Sequence, residues 1–160
     1  AAAGERAASV GELTRAERAT VRLDGRLEAA LGARVVIRVR GGAQLSGELL
    51  GVAREWLLLG EGMRRHLVPA HALAAVGGLG HAVAPESRSV LRSLGLGHAL
   101  RALSRDRVAV QLSAVGIEIS GRIDAVGADH VNVTALGDDR RAIGGGWVVP
   151  LGAIDVVSSA

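Results

Sequence analysis

The sequence predicts a mainly β protein with helices, built as two tandem copies of a small five-stranded barrel that are each preceded by an α-helix. Three observations predict it: an internal repeat, apolar residues that alternate along short segments, and a mid-strand glycine in each copy. At 160 residues the chain is long enough for two small domains. It contains no Cys, so neither a disulfide nor a thiolate metal site is expected.

The internal repeat covers most of the chain. Residues 27–35 align with residues 100–108 at an offset of 73, and the Val-Pro pair at 68–69 recurs at 149–150 at an offset of 81. The offset increases only at a turn and at a loop, where folded proteins tolerate insertions. The repeat therefore divides the chain into two predicted domains, residues 1–80 and residues 81–160.

Each copy contains five predicted strands, at about residues 34–76 in the first domain and about residues 107–157 in the second. In the first strand, Val35, Ile37 and Val39 alternate with arginines. This period of two predicts one buried face and one exposed face.

The glycines at positions 47 and 121 lie inside the second predicted strand of each copy. Glycine in such a position marks a sharp bend or the close approach of another backbone. A small barrel needs such a bend, because its long strand must curl through both sides of the barrel.

Before the fourth strand of the second copy, at 147–149, we expect a polar, Gly-rich loop at 137–146.

Helices precede both sets of strands. The first is predicted from Glu12 to Leu31 and the second within residues 87–104, after a Gly-rich linker at 77–86. Apolar positions spaced three and four residues apart give the first helix a narrow seam, formed by Leu13, Ala16, Thr20, Leu23, Leu27 and Ala30. We expect this seam to pack on a barrel or on a partner helix.

Composition and charge narrow the functional classes. The net charge is +3 and every basic residue is Arg, which is a mild indication of an anionic partner. No apolar stretch approaches the roughly 20 residues of a membrane span and no signal peptide is recognisable, so we expect a cytoplasmic protein without a membrane partner. No catalytic, phosphate-binding or metal-binding pattern stands out, so no enzymatic activity, cofactor or metal is expected.

Residues 35–76, VVIRVRGGAQLSGELLGVAREWLLLGEGMRRHLVPAHALAAV, combine an apolar strand, a Gly turn, a Leu-x-Gly strand, an apolar third strand and a final Val-Pro-Ala-His-Ala segment. This stretch resembles the core of the Sm-like barrel superfamily, of the LSm and Hfq type, in which the final segment is Val-Tyr-Lys-His-Ala. The tandem layout is similar to that of tandem-barrel proteins of high-GC bacteria. The resemblance implies two SH3-like five-stranded barrels, RNA binding, and a ring built by pairing of edge strands.

The residues expected to bind nucleic acid are basic and lie in the first copy. Arg64 and Arg65, with His71 close by, form the best basic cluster, and Arg38 and Arg40 on the first strand extend it. Arginine side chains match the geometry of phosphate oxygens. His71 is carried over from the Lys-His pair of the family. RNA is favoured over DNA, and the affinity is expected to fall steeply with salt.

The chain departs from the family at the positions that hold bases. A polar Asp/Asn pair in the family is replaced by Ala53 and Leu57 in the first copy and by Gly127 and Val131 in the second. This departure keeps a second hypothesis open, in which the protein is a scaffold or adaptor. Such a protein would bind other proteins through its barrel edges and the apolar seam, without nucleic acid.

Five residues are predicted to lie at interfaces: Leu13, Leu23, Leu27, Trp56 and Trp147. A lone tryptophan can stack on a base, but the position of Trp56 at the start of a strand favours the core or an interface. Small open barrels expose edge strands, which are a liability unless they are paired. Self-association is therefore expected, either as a dimer or as a ring of three chains with six barrels.

Overall fold

The computed structural model of the chain describes residues 11–12, 14–85 and 90–159 and shows a mainly β protein. The first copy supplies the strands β1 (Arg34–Val39), β2 (Gln44–Val52), β3 (Trp56–Glu61), β4 (Arg64–Pro69) and β5 (Leu73–Gly77). The second copy supplies the strands β6 (Ala109–Ala114), β7 (Ile117–Val126), β8 (His130–Leu136), β9 (Ala142–Pro150) and β10 (Ile154–Ser159). All ten belong to one antiparallel sheet, which is not closed over the described residues.

The two halves of the sheet repeat one strand order. The full order is β5-β1-β2-β3-β4-β10-β6-β7-β8-β9, so β10 corresponds to β5 and β9 corresponds to β4. The pairing of β4 with β10 joins the halves, and β5 and β9 form the two edges. The predictions of a mainly β protein and of five strands in each copy are confirmed.

The mid-strand glycines lie where two backbones approach closely, as predicted. A Cβ atom placed on Gly47 would lie 2.5 Å from the carbonyl oxygen of Gly60, and one on Gly121 would clash with the carbonyl oxygen of Thr134. A β-bulge follows in both copies, which increases the local twist of the long strand. The two register shifts lie between Leu49 and Gly51 and between Ile123 and Ala125.

The alignment of the first strands needs a correction. Sequence matching pairs Val35 with Val108, at an offset of 73. In the sheet, Val35 lies opposite Gly47 whereas Val110 lies opposite Gly121, so the structural offset between β1 and β6 is 75. The two additional residues precede β6, where the helix of the second copy is longer than that of the first.

The predicted helix from Glu12 to Leu31 is wrong as a single element. Residues 14–18 are helical, the backbone is extended at Arg22, and a separate helix α1 (Leu23–Ala29) follows. The hydroxyl group of Thr20 donates a hydrogen bond to a backbone carbonyl three residues earlier. Such a bond competes with helix continuation, and it interrupts the predicted seam.

The helix of the second copy, α2 (Leu96–Arg105), packs on β7 and follows a single helical turn, Val90–Ser93. The buried apolar side chains among the described residues form two clusters. The cluster of the first half includes Leu27 from α1. The cluster of the second half includes Leu100 from α2 but also Trp56 and Leu67 from the first half, so the second core extends across the junction.

Candidate functional site

The junction between the halves buries the edge of β4. Leu67 lies opposite Val157 and His66 lies opposite Ser158. Leu67 and His66 are only 4% and 2% exposed. An exposed strand edge offers unpaired backbone groups to other chains, and this pairing removes two such edges from each chain.

His66 is a buried titratable group in the junction. Its Nδ1 atom lies 2.7 Å from the hydroxyl oxygen of Ser158. Its Nε2 atom is 3.7 Å from a carboxylate oxygen of Glu61 and has no hydrogen-bond partner among the described residues. Burial lowers the pKa of His66, and the positive charge of Arg64 lowers it further, while Glu61 opposes both effects. His66 is therefore held in its neutral form near pH 7.

Arg40 binds Asp155 across the same junction. Its Nε atom is 2.5 Å from a carboxylate oxygen of Asp155, whose side chain is 5% exposed, and Nη2 donates to the carbonyl oxygen of Gly152. The pairing offsets the cost of burying the carboxylate. A ring nitrogen of His71 lies 2.9 Å from the carbonyl oxygen of Ile154. Arg40 and His71, two of the predicted nucleic-acid-binding residues, thus contact the second half of the chain.

The remaining predicted nucleic-acid-binding residues, Arg38, Arg64 and Arg65, are exposed. Arg64 and Arg65 begin β4, whereas Arg38 lies on β1, with β2 and β3 between these strands in the sheet. A guanidinium nitrogen of Arg65 donates to the carbonyl oxygen of Gly62 at 2.9 Å. The structure therefore places Arg64 and Arg65 at consecutive positions of β4 and Arg38 on a separate strand.

The start of α2 docks against the first half. A carboxylate oxygen of Glu55 accepts a hydrogen bond of 2.9 Å from the backbone amide of Leu96, the first residue of α2. A carboxylate at this position satisfies a free amide and complements the helix dipole. The indole Nε1 of Trp56 donates to the carbonyl oxygen of Leu94 at 3.0 Å. Trp56, a predicted interface residue, is therefore buried between the two halves of one chain.

The free edge formed by β9 exposes apolar side chains. Trp147 and Val148 are 56% and 66% exposed, and Ile143 on the same strand is also exposed. Among the described residues, β9 pairs with β8 only. A groove of about 670 Å³ beside it is lined in part by Ile117 and Leu136. Exposed apolar surface of this kind makes the β9 edge a candidate interaction site.

The extent of β9 differs from the sequence prediction. The region 137–146 was expected to be a loop, but β9 begins at Ala142 and pairs Gly146 with Thr134. Backbone hydrogen bonds to β8 hold this segment, and they need no side chain. The apolar pair formed by Ala142 and Ile143 was the available sequence signal for the earlier start.

The predicted interface residues of the helical seam have different environments. Leu13 lies outside the described residues. Leu27 is buried in the core of the first half, and its role is therefore internal. Leu23, at the start of α1, is 47% exposed, whereas Leu96, at the start of α2, is 5% exposed. Leu23 is therefore available to a partner.

Comparisons with known protein families, with curated proteins and with solved structures find no match. Within the described ranges, no helix is long and apolar enough to cross a membrane. The same residues contain no group of three or more His, Cys, Asp or Glu side chains placed to hold a metal ion.

Proposed function

We propose that this protein is a non-enzymatic scaffold of two tandem Sm-like barrels that self-assembles through its free sheet edges. The observation that carries the proposal is the exposure of Trp147 and Val148 on β9, because the corresponding residues of β4 are buried by a paired strand. The repeated strand order and the close approach at Gly47 and Gly121 support the barrel assignment.

Electrostatics favours assembly over nucleic-acid binding as the primary function. Of the five basic residues predicted to bind nucleic acid, Arg40 is neutralised by Asp155 and His71 contacts a backbone carbonyl. These contacts leave three exposed arginines on two separate strands. The β9 edge, in contrast, exposes the apolar side chains of Ile143, Trp147 and Val148, and covering them with a partner would be favourable.

The test is the mass of the purified chain over a range of concentrations, measured by light scattering or sedimentation. The wild-type protein is expected at multiples of 16.3 kDa. Val148→Asp should yield the monomer, because a charge on this edge cannot be buried in a strand pair. Met63→Asp is the matched control, since Met63 is exposed on the turn before β4, and this variant should assemble normally. A wild-type monomer at high concentration would rule out the proposal.

RNA binding is a second candidate function, favoured by the two consecutive exposed arginines at the start of β4, Arg64 and Arg65. The double variant Arg64→Ala, Arg65→Ala should weaken the binding of a single-stranded RNA roughly tenfold and reduce its salt dependence. The double variant Arg140→Ala, Arg141→Ala, at an exposed turn of the second half, is the control. No binding of RNA at low salt, or equal losses in both double variants, would exclude Arg64 and Arg65 as the site.

A further inference from the structure

We infer that β9 binds the β5 strand of a second copy in the register of the β4–β10 junction, and that this contact lacks the charged pair of the internal junction. The inference rests on the proposed self-assembly and adds the partner strand, the register and the basis of selectivity. Each half supplies two edge strands, β4 and β5 in the first half and the corresponding β9 and β10 in the second. Only the β5 and β9 edges remain free in the described sheet.

The register follows from the internal repeat. At the offset of 81, β10 corresponds to β5 and β9 corresponds to β4. Transferring the observed β4–β10 pairs by this offset places Val148 opposite Val76 and Trp147 opposite Gly77. Val76 already packs against the core of the first half, so Val148 extends that core. Gly77 has no side chain, which leaves room for the indole ring over the backbone.

The charged contact of the internal junction has no counterpart at the free edges. The structural offset of 75 places Val115 at the position of Arg40, and the offset of 81 places Ala74 at the position of Asp155. The backbone amides of Arg40 and Val115 make the same hydrogen bond, to the 3-10 turn that precedes β5 or β10. Val115 and Ala74 are both exposed in the single chain. The interchain contact would therefore bring together two small apolar groups.

The first residue of α1, Leu23, is also placed to take part in the proposed contact between β9 and the second copy. Asp129 corresponds to Glu55 and is exposed, and Leu23 corresponds to Leu96 at the offset of 73. The N-cap residue of α1 makes no side-chain capping hydrogen bond. In the interchain contact, the carboxylate of Asp129 would accept the backbone amide of Leu23 from the second copy. The exposed side chain of Leu23 would be covered at the same time.

The difference between the two junctions selects the partner of each edge. If β10 paired with β9, Asp155 would be buried against Val115 without a cation. If β5 paired with β4, Arg40 would lose its carboxylate. A buried charge without its partner is strongly unfavourable, so the Arg40–Asp155 pair directs β10 to β4 and leaves β5 for β9.

Introduced cysteines test the register, because the chain contains no Cys. The pair Val76→Cys and Val148→Cys should form interchain disulfides under mild oxidation, since directly opposed residues bring their Cβ atoms to about 5 Å. The control pair Ala75→Cys and Val148→Cys points to opposite faces of the sheet, and Ala75 is exposed. We expect about tenfold less covalent dimer from the control on non-reducing electrophoresis.

A charge exchange tests the selectivity without touching the core. Ala74→Asp should raise the dissociation constant of the assembly by about tenfold or more, because it buries an unpaired carboxylate. Adding Val115→Arg should restore the assembly by rebuilding the pair seen between Arg40 and Asp155. Both positions are exposed, so the fold of the single chain should be unaffected, as circular dichroism would verify.

The outcomes separate this inference from the proposed self-assembly. A wild-type chain that remains monomeric overturns both. An assembled wild-type chain in which the control cysteine pair cross-links as well as the test pair overturns the register. An assembly that Val115→Arg fails to restore in the Ala74→Asp background overturns the selectivity, while self-assembly itself stands.

Discussion

β4 and β9 occupy the same place in the two halves of one sheet, and they differ in what covers them. On β4, Leu67 is 4% exposed because β10 pairs with the strand; on β9, the corresponding Val148 is 66% exposed. Both side chains are apolar, so the difference comes from the presence of a partner strand. The same apolar position of the repeat is therefore buried where a neighbouring strand covers it and exposed where the strand forms a free edge.

The two strands also differ in the chemistry around them. The β4 edge is paired through the apolar residues Leu67 and Val157 and also through polar contacts, with His66 opposite Ser158 and Arg40 bound to Asp155 nearby. The β9 edge has Trp147 at the position of His66, so its free surface is mainly apolar. Polar contacts give a junction its selectivity, whereas apolar surface supplies most of the free energy of association.

The largest expected contrast is between the two tryptophans. Trp56→Ala should lower the free energy of unfolding by about 3–5 kcal/mol, because it removes a buried ring from the second core. Trp147→Ala should lower it by about 0.5 kcal/mol or less, because this ring is exposed. Both variants are measured by urea unfolding in a Val148→Asp background, because this substitution should keep the chain monomeric. Equal losses would contradict the assignment of one ring to the core and the other to a free edge.

The next contrast compares Arg40 with Arg38, two residues apart on the sequence. Arg40→Ala should lower the free energy of unfolding by roughly 3 kcal/mol, since it leaves the Asp155 carboxylate buried without its partner. Arg38→Ala, at an exposed position, should change it by less than about 0.5 kcal/mol. The comparison is again made by urea unfolding. Similar values for both variants would show that the ion pair does not hold the junction.

A smaller effect is expected at the starts of the helices. Glu55→Ala should lower the free energy of unfolding by about 1 kcal/mol, because it removes the acceptor at the first turn of α2. Asp129→Ala should be close to neutral in the monomer and should weaken the assembled protein. Thermal unfolding at low and high protein concentration separates the two effects. If Asp129→Ala lowered the unfolding temperature equally at low and high protein concentration, Asp129 would have no role between chains.

The most subtle expected effect is a pH dependence at His66. Burial lowers its pKa in the folded chain from the ordinary value of 6.5, so the unfolded chain binds a proton more readily. The stability that depends on neutral His66 is complete above pH 6.5 and declines as the pH falls below it. His66→Gln should flatten this part of the stability curve, while His98→Gln, at an exposed position, should leave it unchanged. A slope that survives His66→Gln would assign the effect to other groups.

Local patterns in the sequence predicted the β class and the strands of both copies. The alternation in β1 and the mid-strand glycines have short-range causes, namely a buried face and a close backbone approach at Gly47 and Gly121. The helix break before Leu23 was missed because the seam spacing continues through it. The two-residue shift of β6 was missed because Val108 and Val110 match β1 equally well.

The candidate site depends on contacts that no local pattern encodes. Alternation grouped Arg38 with Arg40, yet only Arg40 meets a carboxylate, and Asp155 occupies a β-bulge of a strand in the other half. The pairing of β4 with β10 likewise cannot be predicted from the sequence of either strand alone. Exposure of Trp147 follows from that pairing, because it decides which of the two equivalent edges remains free.

The position of β10 in the middle of the sheet also sets the order in which the fold can be completed. The contact of His66 with Ser158 joins residues 92 apart. At a synthesis rate of about 5–20 residues per second, β4 waits roughly 5–20 seconds for its partner strand. Arg64 and Arg65 at the start of β4 and Pro69 at its end are the residue types that discourage premature strand pairing. The arginines of the β4 edge thus discourage pairing with other chains before β10 has been synthesised, whereas β9 contains no arginine.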